Sequence, residues 1–153
     1  MRFEEAQANL RAAVRTLNMV SYITAFDYLT AGVQGNKVIL SGFTTGLGVK
    51  KEAEGRVNSL EWVQEVENNI EELSISGSDN QIRAEVLARL GRYLPRAFSG
   101  NRAEIRIKVN RGNVTLVGLV DSQTDKGLAE NQTRTVPLVR SVTNQLVVRE
   151  GSN

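Results

Sequence analysis

The chain of 153 residues contains neither cysteine nor histidine. Without cysteine there is no disulfide, no thiolate metal site and no thiol nucleophile. Without histidine the chain lacks the commonest general base at neutral pH and the commonest nitrogen ligand for zinc or copper. A serine or threonine nucleophile would need a carboxylate or lysine partner, and no motif unites such residues. These absences predict a protein that is not an enzyme and that has no metal site and no cofactor.

Aromatic residues and long apolar segments are also scarce. Aromatic residues make up 5% of the chain, so we expect a core of valine, leucine, isoleucine and alanine. No apolar run approaches the roughly 18 residues that a membrane span needs. The N-terminal sequence "MRFEEAQANL" lacks the basic and then apolar order of a signal peptide. We therefore expect the chain as given to be soluble.

The small net charge of +2 hides an asymmetry between the two halves of the chain. Residues 1–76 contain 7 Lys and Arg against 10 Asp and Glu, whereas residues 77–153 contain 12 against 7. The two halves should therefore present different surfaces to charged partners, and pairing between them is one use of the difference.

The sequence contains an internal repeat. "KVILSG" at 37–42 and "NVTLVG" at 113–118 share their valine, leucine and glycine at an offset of 76 residues. At this offset "VQEVENNI" at 63–70 also matches "VRSVTNQL" at 139–146, and the helical positions Leu10 and Val14 fall on Val86 and Leu90. A likeness of this extent indicates one module present twice.

Each half has the same predicted order of elements. A helix, from about Glu4 and from an N-cap at Ser78 or Asp79, precedes a two-stranded hairpin. A second helix follows, at about 47–60 and 124–136, and then a closing strand. The fold class is therefore α+β: two tandem αββαβ domains, 1–76 and 77–153, each a three-stranded mixed sheet packed against two helices. We expect a linker, "SISGSDN", at 74–80 and an inserted segment, "LPRAFSGNRA", in the second copy.

The repeated residues resemble the BON domain, named for bacterial osmotically inducible and nodulation proteins. Its pattern combines a G-x-V-x-L-x-G hairpin with a closing V-x-x-V-x-N-x-L strand. The first copy departs from it in its turn glycine, which lies at Gly35, and in both copies the usual glycine before the closing strand is replaced, by Trp62 and Leu138. The residues that carry the resemblance are Val38, Leu40, Gly42, Val63, Val66 and Asn68 in the first copy, and Gly112, Val114, Leu116, Gly118, Val139, Val142, Asn144 and Leu146 in the second.

The pattern contains no chemically reactive residue, so it specifies a fold rather than a reaction. The resemblance implies a non-catalytic binding module of the bacterial envelope that contacts phospholipid surfaces and supports the envelope under osmotic stress. It also implies a periplasmic location, with a leader removed ahead of Met1; a cytoplasmic start is the alternative.

A cluster of basic and aromatic side chains in the second copy is the candidate binding site. Arg89, Arg92 and Arg96 fall within about 60° of arc on a continuous helix, with Tyr93 and Phe98 nearby. Such a strip suits the anionic headgroups of a phospholipid surface. The alternative is an ordinary solvated helix face, since Glu85 lies on the same arc.

Other interpretations stay open at this stage. The competing function is a protein interaction scaffold without lipid, using the sheet surface or strand edges of an envelope partner. Nucleic acid is an unlikely partner, because the chain has no G-x-x-G loop between paired helices and no aromatic pair on a strand. Glu65 and Glu67 could suggest calcium, but no loop dense in Asp and Asn accompanies them. Trp62 is either an exposed anchor or, more simply, a half-buried packing residue. The sequence does not specify an oligomeric state.

Overall fold

The computed structural model describes residues 2–20, 23–75, 77–100 and 102–150. The chain forms two compact units. The first comprises the residues up to Ile23 and Tyr28–Glu72, and the second comprises Thr24–Asp27 and the residues from Leu73 onward. Ser76, at which the sequence analysis divides the chain, lies outside the described residues. None of the helices in the described ranges is long and apolar enough to cross a membrane.

The first unit contains two helices and a mixed sheet. Strands β1 and β2 pair antiparallel, and β3 and β4 both pair parallel with β2. The closing strand, predicted as one segment, occurs as two short pieces. In chain order the elements are α1 (Phe3–Leu17), β1 (Tyr28–Gln34), β2 (Lys37–Thr44), α2 (Val49–Asn58), β3 (Glu65–Asn68) and β4 (Glu71–Glu72).

The second unit repeats this order with an unbroken closing strand. Strands β5 and β6 pair antiparallel, and β6 and β7 pair parallel. The predicted α+β class, with the αββαβ order in each unit, is thereby confirmed. The elements are α3 (Gly77–Tyr93), a short 3-10 helix (Pro95–Phe98), β5 (Ile105–Asn110), β6 (Asn113–Val120), α4 (Gln123–Arg134) and β7 (Ser141–Val148).

Each unit has its own aliphatic core beneath its helices, as the composition predicts. Trp62 and Val63 pack against the first core, in agreement with a packing role for the tryptophan. The first core consists of Ala13, Leu17, Val20, Val38, Leu40, Val49, Ala53, Val57 and Ile70. The second consists of Ile82, Val86, Leu90, Ala97, Ile105, Ile107, Val109, Val114, Leu116, Val120, Ala129, Val136 and Leu146.

The repeat extends to individual hydrogen bonds. The side-chain amide of Asn68 donates to the Lys50 carbonyl at 2.9 Å and to the Glu54 carboxylate at 3.1 Å, and its oxygen accepts from Ile70. The asparagine thus joins the closing strand to the second helix. Asn144, 76 residues later, makes the same three bonds, to Lys126, Glu130 and Leu146.

Gly42 and Gly118 occupy equivalent bends in β2 and β6. Their φ angles are +108° and +126°, and a Cβ atom would lie 1.8 Å from the Tyr28 carbonyl oxygen and 1.9 Å from that of Glu104. From the sequence, the missing Cβ permits a bulge or a close approach of the following helix at these positions. The backbone that approaches is instead the neighbouring hairpin strand, so glycine is required for strand pairing.

Helix α1 departs from the predicted register. Leu10 and Val14 are 40% and 41% exposed, although their counterparts at an offset of 76 are fully buried. The helix buries Ala13 and Leu17 instead, and these match the buried Val86 and Leu90 at an offset of 73. The expectation that the repeat runs through α1 without a gap is therefore wrong.

Two other sequence expectations need correction. The linker expected at 74–80 is largely helical, because α3 begins at Gly77. The expected insertion is smaller than the ten residues of "LPRAFSGNRA": ten residues separate α1 from β1 and eleven separate α3 from β5, and α3 continues three residues past Leu90, the counterpart of the last residue of α1. Asn101, within the supposed insertion, lies outside the described residues.

The edge of β5 is covered by Thr24–Asp27, a segment distant in sequence. The Ile107 N–H donates to the Ala25 carbonyl at 2.7 Å. The Arg106 guanidinium donates to the carbonyls at the two ends of the segment, at 3.3 and 2.5 Å. Phe26 packs against the second core. Because an exposed strand edge invites pairing with other chains, this cover protects the second unit.

Candidate functional site

Helix α3 ends at Tyr93, before Arg96, the last arginine of the predicted basic strip. Leu94 has φ −131° and ψ 59°, outside the helical region, and Pro95 begins the 3-10 helix. Proline lacks the N–H that would continue the helix, so the helix ends before Pro95. Arg96 therefore lies on the 3-10 helix rather than on α3, and the arc calculated for a continuous helix does not hold for it.

Asp79, a predicted N-cap of α3, has a different role. The helix begins at Gly77, and the Asp79 carboxylate accepts from the N–H groups of Arg111 and Gly112 at 2.7 and 2.8 Å. It thus holds the turn between β5 and β6 against the beginning of α3. The end of α3 that bears the basic residues is the opposite one.

Arg89 is held down on the protein surface. Its guanidinium forms an ion pair with Glu85 at 3.0 Å and donates to the hydroxyl of Thr135 at the end of α4. Its side chain is 26% exposed. Arg89 thus fits the alternative of a solvated, internally paired helix face.

Arg92, Tyr93 and Arg96 are exposed, and we call them the arginine–tyrosine cluster. Tyr93 is 46% exposed. Among the residues that the structure describes, neither arginine of the cluster forms an ion pair. Their charges are therefore available to an external anion.

Phe98 does not share this exposure. It is half-buried and packs against the second core beside the buried Ala97. Its side chain therefore fixes the 3-10 helix to the unit, and in this position it supports the cluster instead of extending it.

A cleft of about 270 Å³ adjoins the cluster, and Tyr93 and Arg96 line part of it. Its other walls come from the beginnings of β5 and α4 and from the end of β6. They combine apolar side chains, including Leu94, Ile105 and Leu119, with the carboxylates of Glu104, Asp121 and Asp125. The cleft could not be predicted from the sequence, because its residues come together only through the sheet pairing.

Arg149 neutralises part of the acidic wall. Its guanidinium pairs with Asp121 at 3.2 Å and with Glu104. The hydrogen bond to Asp121, followed by that to Glu104, raises the pKa of Arg149 above its ordinary value. Two of the three carboxylates are thus engaged within the unit.

Glu65 and Glu67, the two residues that could suggest calcium, form ion pairs with a lysine of the first unit. Lys37 contacts Glu67 at 2.9 Å and Glu65 at 3.7 Å. The hydrogen bond from Lys37 lowers the pKa of Glu67, and the same bond raises the pKa of Lys37. In the part of the chain that the structure describes, no group of three or more acidic side chains could hold a metal ion.

The signature residues occupy structural positions. The signature valines and leucines of β2 and β6 and the last leucine of the signature are fully buried, four valines are half-buried, and Gly112 has φ +83° in the β5–β6 turn. The buried members are Val38, Leu40, Val114, Leu116 and Leu146; the half-buried valines are Val63, Val66, Val139 and Val142. The shared pattern therefore accounts for packing. Any binding function depends on surface residues that the two copies do not share.

Comparison with known proteins places the second unit in a family. No curated protein matches the chain. Among solved structures, CdsD, a structural protein of the type III secretion system of Chlamydia trachomatis, is similar over 95% of this chain and 94% of its own, with 11% identity and a TM-score of 0.36. The C-terminal domain of CdsD is similar over 89% of this chain and 96% of its own, with 13% identity and a TM-score of 0.30. Residues 78–150 match the BON domain family, so the second unit contains a BON domain.

Proposed function

We propose that the protein is a non-catalytic module of the bacterial envelope that contacts anionic phospholipid through the arginine–tyrosine cluster. The observation that carries the proposal is the exposure of Arg92 and Arg96, without ion pairs in the described residues, before and after the exposed Tyr93 in the sequence.

The chemistry of the cluster suits a lipid headgroup region. Guanidinium groups bind phosphate oxygens with two parallel hydrogen bonds. A tyrosine ring favours the boundary between water and acyl chains, where its apolar body and polar hydroxyl are both accommodated. Each basic residue near an anionic surface contributes about 1 kcal/mol, and the basic excess of residues 77–153 attracts the second unit to such a surface.

The BON domain of residues 78–150 supports an envelope role, since this family is often envelope-related and lipid-binding. On this proposal the protein lies in the periplasm after removal of a leader and supports the envelope under osmotic stress. We extend the proposal to the first unit as a second, divergent BON domain, because it shares the element order and the asparagine bonds of the second.

Vesicle co-sedimentation tests the lipid contact. We expect the full chain to pellet with vesicles of phosphatidylcholine and phosphatidylglycerol and to stay in solution with phosphatidylcholine alone. Raising the salt concentration should release it, because exposed charges are screened. The double variant Arg92→Glu/Arg96→Glu should lose most of the pelleting.

A double variant with the same change in net charge is the matched control. Arg111 and Arg140 are exposed near the β5–β6 turn, which Asp79 holds at the opposite end of α3. Arg111→Glu/Arg140→Glu should therefore pellet much better than Arg92→Glu/Arg96→Glu. Equal losses would show nonspecific attraction, and no loss in either variant would refute the proposed site.

The cleft beside the cluster favours one alternative, a protein interaction scaffold. Its apolar wall includes Leu119, which is 41% exposed and suits an apolar side chain of an envelope protein. Leu119→Lys separates the two functions. Under the lipid proposal it leaves vesicle pelleting unchanged or increases it, whereas a scaffold would show no vesicle binding in the parent chain and loss of partner binding in the variant.

A further inference from the structure

The loop between β2 and α2 of the first unit holds a leucine out into solvent. Leu47 is fully exposed, between Gly46 and Gly48. The hydroxyl of the buried Thr44 accepts from the Gly46 N–H at 2.9 Å, and the buried Val49 follows the loop. The leucine is therefore presented from a loop that is anchored on both sides.

The corresponding loop of the second unit shows that the fold does not require this arrangement. There the N-cap of α4 is Ser122, whose hydroxyl accepts from the Asp125 N–H at 3.1 Å. In α2 the N-cap is Gly48, with φ +81° and no side-chain cap. The position 76 residues after Leu47 is the polar Gln123. The first unit thus lacks a helix cap and has an exposed apolar side chain in its place.

Two lysines follow the exposed leucine; the counterpart of Lys50 is also a lysine, Lys126, whereas that of Lys51 is Gly127. Lys50 and Lys51 lie in the first turn of α2, where the partial positive charge of the helix end disfavours cations. The first turn of α2 also contains the acidic Glu52, as that of α4 contains Asp125. The ion pair of α2 joins Arg56 to Glu52 and does not involve either lysine. An external anionic partner would compensate for this placement.

We propose that this loop, which we call the Leu47 loop (Gly46–Lys51), is a second membrane-contact site in which Leu47 enters an anionic bilayer while Lys50 and Lys51 meet its phosphates. The site lies in the first unit and is independent of the arginine–tyrosine cluster. Exposed apolar side chains beside lysines are typical of interfacial membrane contacts. A lipid phase is favoured over a protein partner because Leu47 stands alone at a loop tip, whereas protein hot spots are enclosed by a rim of further contacts.

A fluorescent label at the loop tests this proposal directly. Because the chain has no cysteine, Leu47→Cys provides a single attachment point for a polarity-sensitive dye. Adding vesicles of phosphatidylcholine and phosphatidylglycerol should raise the emission severalfold and shift it to the blue. The same dye at Gln123→Cys, the exposed counterpart in the second unit, is the control and should respond much less.

Substitutions provide a second readout without disturbing the core. Leu47→Gln should weaken vesicle binding by about tenfold, the effect of one leucine withheld from an apolar phase. Lys50→Gln/Lys51→Gln should weaken binding to anionic vesicles and leave the circular dichroism spectrum unchanged.

The outcomes separate this proposal from the first. If the chain pellets with anionic vesicles but the label at position 47 does not respond, the Leu47 loop is not a contact and the cluster stands. If the label responds in the Arg92→Glu/Arg96→Glu variant at high lipid concentration, the loop acts by itself.

An equal response to phosphatidylcholine alone overturns the role of the lysines, and absence of any pelleting overturns both sites. A response to added unlabelled protein instead of vesicles would identify a second copy as the partner and overturn the lipid assignment.

Discussion

Individual glycine residues mark the repeat more clearly than the spacing of hydrophobic residues does. Gly42 and Gly118 both adopt positive φ angles, and both would clash with a neighbouring carbonyl if they had a side chain. The sequence predicts a special role for these glycines but not its cause, because the approaching oxygen belongs to the other strand of the hairpin. That contact exists only once the strands pair.

Gly118→Ala should destabilise the second unit by about 3 kcal/mol, since the strained φ angle and the clash with the Glu104 carbonyl act together. Gly127→Ala is the matched control: it lies in α4, with no atom within 4 Å of an added Cβ. It should stabilise the protein by about 0.5–1 kcal/mol. Urea unfolding followed by circular dichroism measures both. Equal effects of the two substitutions would refute this role for Gly118.

Asn144→Ala should raise the pKa of Glu130. Hydrogen bonds from Arg134 and then from Asn144 hold this pKa below its ordinary value. A depressed carboxylate pKa stabilises the folded state above that ordinary value, and the stabilisation is lost as the pH falls through the folded pKa. Removing the amide should move the pKa upward, toward the ordinary value.

Carboxyl NMR titration of Glu130 measures this shift. The control is Asn68→Ala, which removes the twin asparagine of the first unit, where the contact is with Glu54. It should leave the pKa of Glu130 unchanged. An unchanged pKa in Asn144→Ala would show that Arg134 alone accounts for the depression.

At the scale of elements, the sequence predicts the order of helices and strands but not the rotation of α1. Leu10 and Val14 form a helical stripe, and so do Ala13 and Leu17. From the pattern alone, the stripe with the larger side chains, Leu10 and Val14, is expected to be buried. The structure buries the smaller Ala13, because the closeness of helix and sheet depends on tertiary packing that no single element encodes. The cover that Thr24–Asp27 forms on the edge of β5 could not be predicted either, because the residues that it contacts lie about 80 residues later in the sequence.

Val14→Lys and Leu90→Lys test the rotation of α1. Val14 is 41% exposed, so a lysine there should change the free energy of unfolding by less than about 0.5 kcal/mol. Leu90, its counterpart at an offset of 76, is fully buried, and a lysine there should cost several kcal/mol or prevent folding. Thermal unfolding of both variants decides between the two registers. A large loss of stability in Val14→Lys would restore the ungapped repeat.

For the whole molecule, the sequence predicts two α+β units and a difference in charge between them, and it identifies the end of α3 as a candidate surface. The sequence could not show which side chains of the predicted strip are exposed and which are engaged in contacts within the unit. Arg89 is engaged by Thr135, and Phe98 by the core, through contacts that sequence spacing does not reveal. Arg92, Tyr93 and Arg96 are left as the exposed group. The shared residues of the repeat thus specify the fold, and the features that differ between the copies carry the proposed binding.

Residue-resolved NMR with lipid nanodiscs tests the central claim, that the arginine–tyrosine cluster contacts anionic phospholipid. Amide spectra of the full chain would be compared with nanodiscs containing phosphatidylglycerol and with nanodiscs of phosphatidylcholine alone. We predict that the anionic nanodiscs broaden or shift the amide signals of Arg92, Tyr93 and Arg96, with little change at the β5–β6 turn. Unchanged signals at these three residues, or the largest changes at Arg111 and Gly112, would contradict the account.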